Sequence, residues 1–260
     1  IIGDRSNVSL VHGIAPRLRE LHSPVETTCL TLASPVSRVI LGCGAGSPGA
    51  VCLASGSEVL LAQSGDSADG FESVLRFERA VSTVISESAR IPEIIVHDLD
   101  ERRYSTRFAL DQIGVGHVAV QHHHAHMAAC LAENHENGMA LGVVFDFGGF
   151  GSDETFWGGE ILRGSLDGVE RLATFRPIVL AGEHVSTSQV WRLALGMIDE
   201  VWSGEPPLHA IPLFRSMPRR VVEVVRRVLD SGPTVRSHAI GLQLEAIAAI
   251  VALKLSSIVK

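Results

Sequence analysis

The densest group of side chains able to do chemistry is the block Gln121-His-His-His-Ala-His126. In a helix that starts at His122, the imidazoles of His122 and His126 lie four apart on one face and can chelate a single metal ion, while His123 and Ala125 point elsewhere. A capping or solvent-exposed histidine cluster is the plain alternative. Imidazole is costly to bury unless it is liganded or hydrogen-bonded, and so dense a cluster favours the metal reading. A second group, Phe145-Asp-Phe-Gly-Gly-Phe-Gly-Ser-Asp153, follows directly on an apolar strand. A strand-end carboxylate followed by glycines lets backbone N–H groups at Gly148, Gly149 and Gly151 approach an anionic ligand, while Asp146 holds a metal or a water. Asp153 shares this turn without touching metal. The same segment also reads as a Gly-rich hairpin whose aspartates satisfy turn backbone.

Two further glycine turns carry less. Gly44-Ala-Gly-Ser-Pro-Gly49 matches the spacing G-x-G-x-x-G, but Pro48 and the following Val51-Cys-Leu-Ala favour a hairpin over a helix N-terminus, against a dinucleotide site. Gly65-Asp66 reads either as a ligand-facing turn or as the N-capping region of the helix that follows. No G-x-S-x-G elbow and no C-x-x-C pair occurs.

These groups need elements to position them. Three short β-prone runs, 37–43, 50–55 and 58–63, predict a meander of strands. Val74, Leu75, Phe77, Val81, Val84 and Ile85 then recur at helical spacing between Phe71 and Ser88. A strand at 94–97, a helix over 104–113, a strand at 117–121 and a helix over 124–134 complete a mixed α/β lobe at 36–138, with residues 1–35 as a lead-in segment. The meander restarts at Met139, with strands over 139–145, 155–162 and 168–176, a repeated-lobe signal. Helices over 190–201, 218–230 and 241–258 follow in place of a fourth strand, so the second lobe, 139–260, reads as unfinished.

Composition sets outer bounds. The 260 residues are 46 % apolar and 20 % charged with a net charge of −7, which describes a globular chain and excludes a disordered one. Without a basic block, nucleic acid and anionic membrane are poor partners, and no apolar run is long enough to span a bilayer. Four scattered cysteines, Cys29, Cys43, Cys52 and Cys130, read as buried thiols in a reducing cytosol. The chain opens at Ile1 without an initiator Met or a signal sequence, which reads as a processed or excised piece.

Taken in order, Val51-Cys-Leu-Ala-Ser-Gly, Gln63-Ser-Gly-Asp66, Val96-His-Asp-Leu-Asp with Tyr104-Ser-Thr-Arg-Phe, the histidine block, Leu141-Gly-Val-Val-Phe-Asp-Phe-Gly-Gly-Phe-Gly-Ser-Asp and Phe156-Trp-Gly-Gly-Glu160 resemble the hydrogenase-maturation carbamoyltransferase family HypF, in its Kae1-like region. The resemblance runs over about residues 15–255. It implies an actin-like, ribonuclease-H-like two-lobed α/β fold, and transfer of a carbamoyl group from carbamoyladenylate to the C-terminal cysteine of a HypE-like acceptor. It also implies a divalent ion, iron or zinc, on His122, His126 and Asp146, with ATP or carbamoyladenylate in a cleft between lobes at Gly148, Gly149, Gly151 and Asp153. Phe147 and Glu154 depart from the family pattern, where small residues stand. Two other expectations stand beside the first: a noncatalytic homologue serving as a binding module, and a carbamoyltransferase acting on a small-molecule hydroxyl.

Overall fold

The computed structural model describes residues 25–45, 49–63, 71–181, 189–202, 205–215, 217–231 and 235–251. They fall into two compact units, one within Ile1–His122 with Ala129–Glu136 and the other within His123–Ala128 with Asn137–Lys260. Gly65 and Asp66 lie outside the described residues.

The first unit is built on a four-stranded sheet of order β2-β1-β3-β4. A long hairpin of β1 (Thr27–Cys43) and β2 (Ala50–Gln63) pairs antiparallel from Thr27↔Ala62 to Cys43↔Val51. The backbone N–H of Gly44 donates to the carbonyl of Ala50 at 3.0 Å, one step beyond Cys43↔Val51, as expected of a hairpin; residues 46–48 lie outside the described residues. The expected three-strand meander is corrected to two strands. Ser55-Gly56-Ser57 looks like a turn, yet Gly56 takes φ +60° opposite Val36 at a register shift and the strand runs on through it. The hairpin also takes in residues 27–35, which the sequence assigned to the lead-in; their mostly exposed side chains give no alternation to read.

Strand β3 (Ile94–Asp98) lies parallel to β1, and β4 (Gly116–Val120) parallel to β3. Helix α1 (Phe71–Ser88) covers the sheet with Phe77, Ala80, Val81 and Val84. These pack with Leu41, Val51, Leu53, Ile95 and Phe108 into one apolar core. Helix α2 (Tyr104–Leu110) stops three residues earlier than its pattern suggested, with Gly114 at φ +86° turning the chain into β4.

Helix α3 (His122–Glu133) begins two residues earlier than the apolar spacing indicated. That start places the whole histidine block on the helix, so His122 and His126 stand one turn apart.

In the second unit β5 (Ala140–Phe150) pairs antiparallel with β6 (Phe156–Ser165), and β6 with β7 (Gly168–Thr174). Two three-residue strands, β8 (Ile178–Leu180) and β9 (Val235–Ser237), extend the sheet in the order β5-β6-β9-β8. The expectation that only helices follow the meander is therefore corrected: strands this short offer too few residues for a period to show.

Helix α4 (Val190–Val201) lies against β8, followed by a turn of helix α5 (Pro212–Arg215), α6 (Arg219–Ser231) and α7 (Ile240–Ile250). Leu193 of α4 meets Leu242 and Ala246 of α7 over Ile178 and Leu180. On β5 the residues Met139, Leu141, Val143, Phe145 and Phe147 form an exposed apolar row beginning just before the strand. No helix among the described residues is long and apolar enough to cross a membrane.

Candidate functional site

The histidines of α3 meet four different surroundings. In the first unit His122 places Nδ1 2.8 Å from Oδ2 of Asp98, the buried last residue of β3. Asp98 itself is fixed, since its Oδ1 accepts the Asp100 N–H at 2.8 Å. In the second unit His123 is fully buried, its Nε2 3.6 Å from Oδ2 of Asp146 and its ring 5.9 Å from that of Trp157. The sequence had His123 pointing away; it instead approaches the same carboxylate. His124 contacts the carbonyl of Ser165 through Nε2 at 3.1 Å. His126, half exposed, brings Nε2 to 3.9 Å from Asp146 Oδ2.

Asp146 is presented by a defect in β5. Phe145 pairs with Gly159 and Gly149 with Trp157, so the three residues Asp146, Phe147 and Gly148 oppose Gly158 alone. Gly148 at φ +135° and Gly158 at φ +151° supply the backbone geometry, and a Cβ on Gly158 would sit 2.8 Å from Ala239. The strand thus continues through Gly148 and Gly149 to Phe150, where the sequence indicated a turn directly after Phe145. Asp146 Oδ1 accepts the Phe147 N–H at 2.7 Å, which leaves Oδ2 as the oxygen on the side of the histidines.

One ligand atom from each of His122, His126 and Asp146 lies within 4.8 Å of the others. Two bonds of about 2.1 Å to a common ion put ligand atoms at most about 4.2 Å apart, so the spacing suits one centre after small side-chain adjustments. Two imidazoles with one carboxylate are a donor set suited to iron or zinc, and the exposure of His126 leaves room for further ligands. The three metal candidates read from sequence are therefore brought together.

The other candidates are placed differently. Gly151 packs against the indole edge of Trp157 and begins the turn to β6, its N–H donating to the Thr155 carbonyl. Asp153 Oδ1 accepts the N–H and hydroxyl of Thr155 and, at 2.8 Å, the Trp157 Nε1–H, while Oδ2 is paired with Arg171. Burial alone would raise the Asp153 carboxyl, but those donors outweigh it and hold it well below the usual carboxylate range. Arg171 also lies 4.2 Å over the Trp157 ring and 3.6 Å from Oε2 of Glu160, a fully buried acid whose Oε1 accepts the N–H groups of Gly158 and Gly159.

Sequence reasoning passed over Asp98, His123, Trp157, Glu160 and Arg171 as working parts. Arg171, eighteen residues from Asp153, left no local signal.

Two family profiles match: the HypF Kae1-like domain over residues 35–133, and the second subdomain of the carbamoyltransferase Kae1-like domain over 142–257. Among curated proteins the chain is 34 % identical over 176 residues to carbamoyltransferase HypF2 of Cupriavidus necator, covering 64 % of this chain and 21 % of that one. It is 37 % identical over 141 residues to carbamoyltransferase HypF of Rhodobacter capsulatus, covering 53 % and 18 %. The chain thus spans about a fifth of the length of these relatives. Among solved structures, full-length HypF in a phosphate- and nucleotide-bound form matches with TM-score 0.79 and 24 % identity over 87 % of this chain and 35 % of that one. HypF of T. kodakarensis matches with TM-score 0.73 and 23 % identity, over 87 % and 31 %. Both share the fold.

Proposed function

Because the chain belongs to the HypF carbamoyltransferase family, in its Kae1-like region, we propose that it binds a divalent metal ion through His122, His126 and Asp146 and serves carbamoyl transfer from carbamoyladenylate to a cysteine of a HypE-like acceptor protein. The observation that carries this reading is the convergence of the three ligand atoms within 4.8 Å. Such an ion supplies charge to offset the adenylate phosphate and to polarise the leaving group.

The chain's own residues do the positioning. His122 and His126 stand one helical turn apart, and the β5 bulge holds Asp146 with Oδ2 3.9 Å from His126 Nε2. Gly148 and Gly149 occupy or flank that bulge, which supports a role for their backbone in meeting the nucleotide's phosphate. Gly151 and Asp153 serve the nucleotide side through the turn they hold. The nucleotide-bound state of the full-length HypF relative supports this half of the reading. A cytoplasmic site of action is in keeping with four free cysteines, although Cys29 and Cys130 are exposed where the sequence indicated buried thiols; residues 36–138 and 139–260 are taken as the two lobes.

A second reading, a binding module without turnover, is favoured by one observation: Phe147, which follows Asp146 directly, is 63 % exposed and bulky where the family carries small residues.

Metal analysis of protein purified without chelators tests the first reading. One equivalent of iron or zinc is expected in the parent and none in the double variant His122→Ala, His126→Ala; equal content in both overturns it. Carbamoyladenylate consumption that vanishes in Asp146→Ala separates the enzyme from the binding module.

A further inference from the structure

We infer that Asp98 is a positioning residue that sets the tautomer of His122, so that Nε2 offers its lone pair to a metal ion; the inference rests on the metal reading of His122. The buried Asp98 carboxylate uses its two oxygens differently. Oδ1 accepts the backbone N–H of Asp100 at 2.8 Å, and Oδ2 lies 2.8 Å from His122 Nδ1. A carboxylate only accepts, so in the neutral ring the proton sits on Nδ1 and the lone pair on Nε2. Metal-bound histidines are commonly held this way, by a carboxylate on the ring nitrogen away from the metal.

Asp98 is placed for the task by β3, which pairs parallel with β1 as far as His97 and with β4 through its last residue, Asp98↔Val120. Its own main-chain carbonyl is engaged by His97 Nδ1 at 2.8 Å, and the Asp100 contact closes the turn beyond it. The side chain therefore has little freedom, and neither has the ring it faces.

The two oxygens make the effect of Asp98→Asn specific. The Asp100 N–H is a fixed donor, so the amide oxygen of Asn goes to it and the amide NH2 turns to His122. An NH2 facing Nδ1 requires that nitrogen to accept, which moves the proton to Nε2 and removes the lone pair a metal needs. Asp98→Ala removes the orienting partner without imposing the wrong tautomer. A merely structural role for Asp98 predicts the opposite order, because Asn keeps the Asp100 contact and Ala loses it.

Zinc titration of the metal-free chain, followed by calorimetry, together with long-range 1H–15N correlation of the His122 ring, tests this. The expected result is a proton on Nδ1 of His122 in the parent protein, on Nε2 in Asp98→Asn, and zinc affinity lowered by about 10–100-fold in Asp98→Asn, with a smaller loss in Asp98→Ala. A proton on Nε2 in the parent overturns the inference whether or not the variants fold. So does parent-like zinc affinity in Asp98→Asn when His122→Ala has lost it, which leaves the metal reading standing. Unchanged zinc affinity in His122→Ala, His126→Ala overturns the metal reading instead, while the ring spectrum still reports the tautomer.

Discussion

The two hairpins, β1/β2 and β5/β6, follow one plan and bury opposite kinds of side chain. In the first, the paired ends Leu41, Cys43, Val51 and Leu53 are apolar and close-packed under α1. Burial pushes the Cys43 thiol up to about 12, with the neighbouring Cys52 adding to the effect, and burial raises the Cys52 thiol as well, so both thiols there stay neutral. In the second, the corresponding end holds Asp146 in its bulge and, beyond it, Glu160, Arg171 and Asp153 around Trp157. An apolar end needs only to fill space, and many side chains of suitable volume do that. A charged end needs every partner in place, because a buried acid without its donors costs more than the contact contributes. The second hairpin thus presents its carboxylate beside a network of charged partners, where the first presents none. The first leaves its working acid, Asp98, to the third strand.

Substitutions that challenge this contrast differ in size. Trp157→Ala is expected to cost about 4 kcal/mol, since it empties a buried aromatic site and removes both a donor to Asp153 and the ring beneath Arg171. The matched change in the apolar hairpin, Leu53→Ala, costs about 3 kcal/mol. Urea unfolding compares them, and a cost for Trp157→Ala below that of Leu53→Ala would remove the special standing given to the charged end.

Arg171→Ala comes next, at about 2 kcal/mol, less than for a fully enclosed pair because the guanidinium is a quarter exposed. Adding Glu160→Gln to it should restore part of the loss. If the double variant is no more stable than the single one, Glu160 is held by Gly158 and Gly159 alone.

The smallest effect is a pH dependence. The folded Asp153 carboxyl lies below its unfolded value, so its stabilisation is complete above about pH 4 and is lost as pH falls toward the folded value. Thermal unfolding from pH 6 down to pH 2 should show the parent losing its advantage over Asp153→Asn through that window. Parallel curves would mean that Arg171 and Trp157 serve an amide equally well.

The parts of this molecule that could be read from sequence are those whose signals are local. Helix α1 and helix α4 occupy the spans their apolar spacing indicated, Phe71–Ser88 and Val190–Val201. The His122–His126 pair was legible because i,i+4 spacing is itself a geometric statement. Asp98 was not, because its partner lies 24 residues away and only the β3–β4 pairing brings the strand end to the start of α3. Asp153 was legible as a turn residue but not as the hub of four donors, since Arg171 reaches it from β7. The bulge at Asp146–Gly148 was masked by its glycines, which in sequence look the same in a turn and in a distorted strand.

The row Met139, Leu141, Val143, Phe145 and Phe147 also has a colloidal consequence. A contiguous apolar strip along one strand favours adhesion between copies, and the chain's net charge of −7 opposes their approach at neutral pH. Screening that charge with salt, or titrating it away toward pH 5.9, weakens the repulsion while the strip is unchanged. Purification and spectroscopy of this chain are therefore best done at low ionic strength and above neutral pH, where long-range repulsion outlasts short-range adhesion.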